Sequence, residues 1–309
     1  MTDQRFPTSQ AAPLVTNLPR TLGTLGPLGP LAFGCWRLTG DHSENCAIVE
    51  QAVELGITLI DNADVYGLDW GGTHFGQCEE ALGKVLAQTP GLRDQIVLAT
   101  KGGIIPGVPY DSSSTYITAA CEASLRRLDV DHIDLYQIHR PDMYTHPEEI
   151  AKAFSSLRAR GLVSEFGVSN FTVGQTQALH SYLEGGLAST QPEFSATQLA
   201  PMRDGTFDFC MTHHITPLAW SPLAGGRLAT GEGVSTDLLA VLDDLAGAKS
   251  VSRAAIATAF VLAHPSRPIA ILGTQEPERL VDLANAVSVQ FTRDELYAIV
   301  QASEGQPLP

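Results

Sequence analysis

Short apolar runs alternate with amphipathic segments along most of the chain. Runs such as "TLIDNADVYG", "QIVLATKGG" and "HIDLYQIHRPD" predict strands, whereas "TYITAACEASLRRLDV" and "PEEIAKAFSSLRARG" predict helices with one apolar face. Counted from "LAFGCWRL", eight predicted strands are each followed by a largely helical crossover. Parallel strands need such crossovers, and strands covered on both sides are continuously apolar. The pattern therefore predicts the α/β class, as a closed (β/α)8 TIM barrel.

Both ends of the chain add to this barrel. Residues 1–17 are expected to form a flexible N-terminal tail, and residues 18–309 a single barrel domain. The stretch "TLGTLGPLGP" predicts an N-terminal β-hairpin, because Gly and Pro mark its turns. "TRDELYAIVQAS" predicts an extra C-terminal helix, and one long helical stretch is expected from Thr236 to Ala263.

An open, doubly wound sheet is the alternative fold. Such a sheet, when it binds a dinucleotide, carries G-x-G-x-x-G between its first strand and helix. The first predicted strand here continues as "FGCWRLTGDHSE", which contains no such loop. The nearest match, "GEGVST" at Gly231, lacks the third glycine and follows no strand, so the closed barrel is preferred.

The net charge limits which binding partners are expected, and the cysteines limit the kind of site and the cellular compartment. With 34 acidic and 19 basic residues, the formal net charge is −15. Nucleic acid and anionic membranes attract basic surfaces, so neither partner is expected. The five cysteines are odd in number and lack a C-x-x-C pair, which argues against a disulfide framework or a zinc site. The first residues lack the apolar core of a signal peptide, so we expect a cytoplasmic protein without a metal.

Polar and titratable residues stand where the predicted strands end. Asp61 and Tyr66 follow the second strand, Lys101 ends the third, and His139 follows the fourth. The later strands end, in order, at Ser169 and Asn170, Gln191, Trp220 and Ser221, and Gly273 and Thr274. The carboxyl ends of barrel strands share one mouth, where such folds carry their active sites. Each residue alone is compatible with a turn, a cap or packing, but titratable residues on three consecutive strand ends predict a site.

The set Asp61, Tyr66, Lys101 and His139 suits proton transfer to a carbonyl group. A free Tyr hydroxyl has a pKa of about 10, which is high for proton transfer at neutral pH. A nearby ammonium lowers that pKa by stabilising the phenolate, and a carboxylate can hold the ammonium in place. An imidazole can orient the carbonyl oxygen. The chain has no G-x-S-x-G, H-E-x-x-H or P-loop motif, so a hydride would come from a bound cofactor.

The segments "DNADVYG", "LATKGG" and "YQIHRPD" resemble the three catalytic segments of the aldo-keto reductase family. "FGVSNF", "TQPEFS", "AWSPLAGGRL" and "ILGTQEPERL" look like its cofactor segments, so the resemblance covers roughly residues 18–302. It implies that Tyr66 is the general acid in reduction and the base in oxidation. Lys101, paired with Asp61, would lower the pKa of Tyr66, and His139 would orient the substrate carbonyl.

The resemblance also implies a nicotinamide cofactor. Ser169, Asn170 and Gln191 would hold its carboxamide, and Trp220 would stack on its ring. Backbone N–H groups and a helix start suit phosphate. The positions implied for the pyrophosphate and the adenosine are, in chain order, Ser221, Leu223, Gly225, Arg227, Gly273, Thr274, Gln275 and Arg279.

Arg279 favours NADP(H) over NAD(H), because a guanidinium fork matches a 2′-phosphate. Relatives often carry an Asn four residues later to bind adenine, where this chain has Leu283. Trp36, after the first strand, and Trp70, in a Gly-rich loop after the second, are candidate walls of the substrate pocket.

The expected function is an oxidoreductase that transfers a hydride between NADP(H) and an aldehyde or ketone and its alcohol. The expected partner is thus a small carbonyl compound or alcohol. An NAD-dependent sugar (aldose) dehydrogenase is the alternative within this class. An alternative of a different class is a slow-turnover, cofactor-binding regulatory subunit that resembles potassium-channel beta subunits. All four catalytic residue types are present and no docking segment is evident, which favours an enzyme.

Overall fold

Eight parallel strands close into a barrel in the computed structural model, which describes Leu14, residues 17–68 and residues 71–308. Trp70 and most of the expected tail lie outside the described residues. The predicted barrel and hairpin are confirmed. The antiparallel hairpin consists of β1 (Arg20–Leu22) and β2 (Leu25–Leu28), and the barrel strands are β3 (Leu31–Gly34), β4 (Leu59–Asp61), β5 (Val97–Gly102), β6 (Ile133–Ile138), β7 (Val163–Ser169), β8 (Ser189–Gln191), β9 (Thr216–Ala219) and β10 (Ile269–Leu272). Neighbours in sequence are neighbours in the barrel, and β10 pairs with β3 to close it.

Helices connect the strands and surround the barrel, and the extra C-terminal helix is present. The described helices are α1 (His42–Glu54), α2 (Gln77–Gln88), α3 (Leu92–Gln95), α4 (Ser114–Leu128), α5 (Pro147–Ala159), α6 (Val173–Tyr182), α7 (Thr206–His213), α8 (Arg227–Thr230), α9 (Thr236–Lys249), α10 (Arg253–Leu262), α11 (Pro277–Ala284) and α12 (Arg293–Glu304). No single described helix is both long and apolar enough to span a membrane. The α9–α10 pair passes such a test only jointly, and it is bent by 96°.

Helices cover the outer face of the strands, which explains why the strand sequences are so apolar. Phe33, Tyr136 and Phe166 belong to one buried cluster with helix residues such as Leu82 and Phe154. Phe154 and Phe166 stack with their ring centroids 4.1 Å apart. Burial of apolar area is worth about 25 cal/mol per Å², so this layer between strands and helices is a main source of stability.

The amino-terminal end of the barrel interior is apolar and closed. Leu22 and Leu28 of the hairpin form a second cluster with inward-facing strand residues, among them Leu59. Glu165 of β7 accepts hydrogen bonds from the backbone N–H and the hydroxyl of Thr24, at 2.7 and 2.6 Å, which ties the hairpin to the barrel. The polar interior residues therefore lie towards the other end.

One local expectation is wrong. The helical stretch expected from Thr236 to Ala263 is divided into α9 and α10. Ser250 ends α9 in the left-handed region, with φ 55°, and Ser252 begins α10 by accepting the N–H of Ala255 at 3.0 Å. The left-handed backbone at Ser250 and the side-chain cap of Ser252 therefore overrode the apolar periodicity, and such caps are typical of serine at helix starts.

Candidate active site

The carboxyl-terminal mouth of the barrel contains a cavity of about 1040 Å³. Asp61 ends β4, Tyr66 lies in the loop after it, and His139 directly follows β6. The structure therefore brings residues from separate strand ends to one cavity. The predicted site residues that line it are Trp36, Asp61, Tyr66, His139, Ser169, Asn170, Gln191, Trp220, Ser221, Leu223, Gly225, Gly273, Thr274, Gln275 and Arg279.

Lys101 does not line the cavity, because it is fully buried within β5, with 0% of its surface exposed. Its Nζ donates to Asp61 Oδ2 at 2.6 Å and to the Asn62 carbonyl at 2.8 Å. Burial acts to lower the pKa of Lys101, but the Asp61 carboxylate and Tyr66 outweigh burial and raise the pKa above its ordinary value. Lys101 therefore holds a fixed positive charge next to the cavity.

Tyr66 lies close to both Lys101 and His139. The Lys101 Nζ is 5.1 Å from the centroid of the Tyr66 ring, and the His139 ring meets that ring edge-on with centroids 5.6 Å apart. Burial raises the pKa of Tyr66 above its ordinary value, and the Lys101 charge offsets part of the rise. Lys101 thus acts to lower the pKa of Tyr66, as the sequence predicts, but burial has the larger effect and the net pKa is raised.

His139 carries a neutral imidazole at pH 7. Burial, together with the positive charges of Lys101 and Arg140, places its pKa well below the ordinary value. Its backbone N–H donates to the Gly102 carbonyl at 2.8 Å, which fixes the chain at the end of β6. Its Nδ1 has no hydrogen-bond partner among the described residues. A neutral imidazole that lines the cavity can donate one hydrogen bond to a carbonyl oxygen.

Two amides hold the second oxygen of Asp61. Gln191 Nε2 donates to Asp61 Oδ1 at 3.1 Å, and Gln137 Nε2 donates to it at 3.3 Å. Motif matching did not point to Gln137, which is fully buried. The signal that could have found it is an amide in the largely apolar strand "IDLYQI", one residue before the end of β6.

The residues expected at the nicotinamide hold one another in place. Trp220 Nε1 donates to Asn170 Oδ1 at 3.0 Å, and Asn170 Nδ2 donates to Ser169 Oγ at 2.8 Å. Ser169 Oγ in turn donates to the Gln191 carbonyl at 2.9 Å. A carboxamide bound here would exchange hydrogen bonds with polar groups that are already oriented.

The loop after β9 lines the cavity and contains several residues in the left-handed region. Ser221, Ala224, Gly225 and Gly226 have φ values of 54°, 52°, 73° and 99°. Three of their N–H groups bond within the loop: Ala224 donates to the Ser221 carbonyl at 2.8 Å, Gly225 to Ser221 Oγ at 2.8 Å, and Gly226 to the Leu223 carbonyl at 2.9 Å. A Cβ added to Gly225 or Gly226 would meet no atom within 4 Å, so the loop borders open space. Arg227, expected at the pyrophosphate, does not line the cavity, and its Nε donates to the Ala224 carbonyl at 3.0 Å.

Arg279 and Leu283, on α11, also line the cavity. Arg279 is exposed, and no described side chain or carbonyl pairs with its guanidinium. Leu283, which stands in place of the Asn expected for adenine binding, is 4% exposed. Trp36 packs against Gly273, where an added Cβ would collide with the indole, so Trp36 forms the wall between β3 and β10.

Arg140 is a second residue of the site that its motif did not indicate, and unlike Gln137 it lines the cavity. Its guanidinium carbon lies 6.0 Å from the centroid of the Trp220 ring. It is half-buried, and no described carboxylate or carbonyl pairs with it. Among the described residues, no group of three or more His, Cys, Asp or Glu side chains is placed to hold a metal ion.

A closed barrel with a lysine–aspartate pair, a tyrosine and a histidine at its carboxyl-terminal mouth defines a class of nicotinamide-dependent oxidoreductases. The sequence model of the Aldo/keto reductase family matches residues 30–304. The chain therefore belongs to the aldo-keto reductase family and is an NAD(P)H-dependent enzyme.

Known proteins agree with this assignment over nearly the whole chain. A 6-dehydroglucose reductase from Novosphingobium aromaticivorans is 42% identical over 295 residues, which cover 94% of this chain and 97% of the relative. A 6-dehydroglucose reductase from Agrobacterium fabrum is 35% identical and covers 90% and 96%. Among solved structures, an aldo/keto reductase from Klebsiella pneumoniae in complex with NADP and acetate superposes with a TM-score of 0.79 at 26% identity, covering 96% of this chain and 97% of that one.

Proposed function

We propose that this chain reduces an aldehyde or ketone with NADPH, with Tyr66 as the general acid. The observation that carries the proposal is the position of Tyr66 at the cavity wall, with the Lys101 ammonium 5.1 Å from its ring and the His139 ring 5.6 Å away. The cofactor would supply the hydride. Tyr66 would give its proton to the carbonyl oxygen, and Lys101 would stabilise the phenolate that remains.

Asp61 and His139 would have supporting roles in this reaction. Asp61 would fix Lys101 through the 2.6 Å ion pair, so that the positive charge stays beside Tyr66. Neutral His139 would donate a hydrogen bond to the carbonyl oxygen and hold it within reach of the Tyr66 hydroxyl. In the oxidative direction, the same residues would take the proton back from an alcohol.

The donors present fit a dinucleotide phosphate. Gly225 and Gly226, in the loop after β9, line the cavity and leave open space that would accommodate a pyrophosphate. Arg279 offers a guanidinium without an internal partner, which suits a 2′-phosphate and supports NADPH over NADH. Ser169, Asn170 and Gln191 would bind the carboxamide, with Trp220 against the nicotinamide ring.

We further propose that the substrate is an oxygen-rich aldehyde, such as one derived from a sugar. Arg140 brings several N–H donors to the cavity beside His139, and no described residue satisfies them. Hydroxyl oxygens of a substrate could accept these hydrogen bonds. The names of the two 6-dehydroglucose reductases, 42% and 35% identical, support the same substrate class.

The test measures NADPH oxidation with carbonyl substrates and compares Tyr66→Phe with Tyr182→Phe, a half-exposed tyrosine outside the cavity. Loss of a general acid is expected to slow turnover about 10²–10⁴-fold. NADPH binding, followed by tryptophan fluorescence, should be retained in Tyr66→Phe. Near-normal turnover by Tyr66→Phe would contradict the acid assignment.

The substrate class is tested by comparing glyceraldehyde with propanal, which has the same carbon chain without the hydroxyls. The wild type should have a higher kcat/KM for glyceraldehyde than for propanal. Arg140→Met should lower the ratio of these two values about tenfold. Equal losses for both aldehydes would contradict the role of Arg140 in substrate selection.

A further inference from the structure

A layer of polar side chains crosses the barrel interior next to the cavity. Gln137 donates from Nε2 to Asp61 Oδ1, and its Oε1 accepts from Ser189 Oγ at 3.3 Å and from Gln191 Nε2 at 3.5 Å. Each of these residues is 2% exposed or less. They come from β4, β6 and β8, and side chains from alternate strands form one layer inside such a barrel.

The strand between β6 and β8 leaves room for this layer. Gly167 of β7 is in register with Gln137 on one side and Ser189 on the other. A Cβ added at Gly167 would collide with Ser189 Oγ and would lie 3.1 Å from Gln137 Cγ. The glycine therefore lets Gln137 and Ser189 meet across β7.

The two N–H groups of Gln191 Nε2 are already used inside the barrel, by Asp61 Oδ1 and Gln137 Oε1, so donation to the oxygen of a bound carboxamide would require this side chain to turn. It lines the cavity, where it is expected to meet the nicotinamide carboxamide, yet its Nε2 donates to Asp61 at 3.1 Å. If Gln191 turns towards the cofactor, Asp61 Oδ1 keeps only its hydrogen bond from Gln137. A buried carboxylate that loses its donors is costly, so Gln137 decides how easily Gln191 can turn.

We propose that Gln137 is a positioning residue that holds Asp61 against Lys101 and thereby frees Gln191 to bind the nicotinamide carboxamide. Gln137 does not line the cavity, so it acts through Asp61 and Gln191. The cofactor part of this inference rests on the proposed function.

The test uses binding rather than turnover. Gln137→Met keeps the length of the side chain and removes its donors and acceptor. Dissociation constants are measured by calorimetry for NADPH and for 2′,5′-ADP, which has the adenosine and the 2′-phosphate but no nicotinamide. We expect Gln137→Met to weaken NADPH binding about tenfold, the value of one hydrogen bond to a charged group, and to leave 2′,5′-ADP unchanged.

Three further variants make the mechanism specific. In a Gln191→Met background, Gln137→Met should cause no further loss of NADPH affinity. The Gln191 amide, for which Asp61 and the cofactor compete, is then absent. Ser189→Ala, a smaller change, should weaken NADPH in the same direction but by less. With Gln137→Glu, the new carboxyl group can donate to Asp61 only when protonated, so NADPH affinity should fall as the pH rises.

Unchanged NADPH affinity in Gln137→Met would overturn the proposal. So would equal weakening of NADPH and 2′,5′-ADP, or independent, additive losses from the changes at 137 and 191. Failure of the wild type to bind NADPH at all would contradict the proposed function instead.

Discussion

Lys101→Met is expected to destabilise the fold through the charge that it leaves behind. The Lys101–Asp61 pair is 2.6 Å long, and its side chains are 0% and 3% exposed. Removing one member of a buried pair leaves the other charge without compensation, which costs about 3–5 kcal/mol. At about 2.1 cal/mol/K of unfolding entropy per residue, that cost lowers the Tm of a chain of 309 residues by roughly 5–8 °C.

The assay is thermal unfolding of Lys101→Met beside a double variant and a surface control. Asp61→Asn/Lys101→Met removes both charges and keeps an acceptor for Gln137 and Gln191, so it should regain much of the lost stability. Lys152→Met breaks an exposed pair with Glu148, which is worth at most about 1 kcal/mol. If the single and double variants were equally unstable, or if Lys101→Met changed the Tm no more than Lys152→Met, the reasoning from a buried charge would be wrong.

Three other predictions test separate parts of the molecule. Arg279→Gln should raise the Kd for NADPH by about tenfold or more and leave the Kd for NADH nearly unchanged, because only NADPH has the 2′-phosphate. Fluorescence titrations with both cofactors measure the two constants. Equal effects on both would contradict the assignment of Arg279 to the 2′-phosphate. Asp64 is almost fully buried, and burial raises its pKa well above the ordinary value near 3.8. The folded state thus retains a proton that the unfolded state loses, and stability falls by up to about 1.4 kcal/mol per pH unit as the pH rises from that value towards the folded-state pKa. Asp64→Asn removes this dependence, so its Tm relative to the wild type should be higher at pH 8 than at pH 5; an equal difference at both pH values would refute the claim. Gly102→Ala should destabilise the fold by about 1–3 kcal/mol, since its Cβ would collide with the Tyr136 hydroxyl and lie 3.2 Å from Asp64 Oδ2; denaturant unfolding should show it, and Gly174→Ala, where an added Cβ meets nothing, is the control.

The sequence was informative where a residue's position along the chain determines its position in space. The carboxyl ends of parallel strands meet at one mouth, so Asp61, Tyr66 and His139 could be placed in one site from their order alone. The break at Ser250 was missed, because apolar periodicity continues across it.

The contacts across the barrel were also not predictable from the sequence. Gln137 and Asp61 are far apart in the chain and meet only because alternate strands contribute to one interior layer. The hydrogen bond from Trp220 to Asn170 depends in the same way on two loops at different strand ends. The Arg227 motif likewise gave no sign that its Nε donates to the Ala224 carbonyl of its own loop.

The N-terminal hairpin closes the amino-terminal end of the barrel interior. Leu22 and Leu28 are buried against the inward-facing strand residues there, with 0% and 3% of their surfaces exposed. Water entering from that side would screen the attraction between Lys101 and Asp61 and supply competing hydrogen bonds. Because the hairpin keeps water out at this end, we expect substitutions in it to weaken the Lys101–Asp61 ion pair without any contact with the mouth of the barrel.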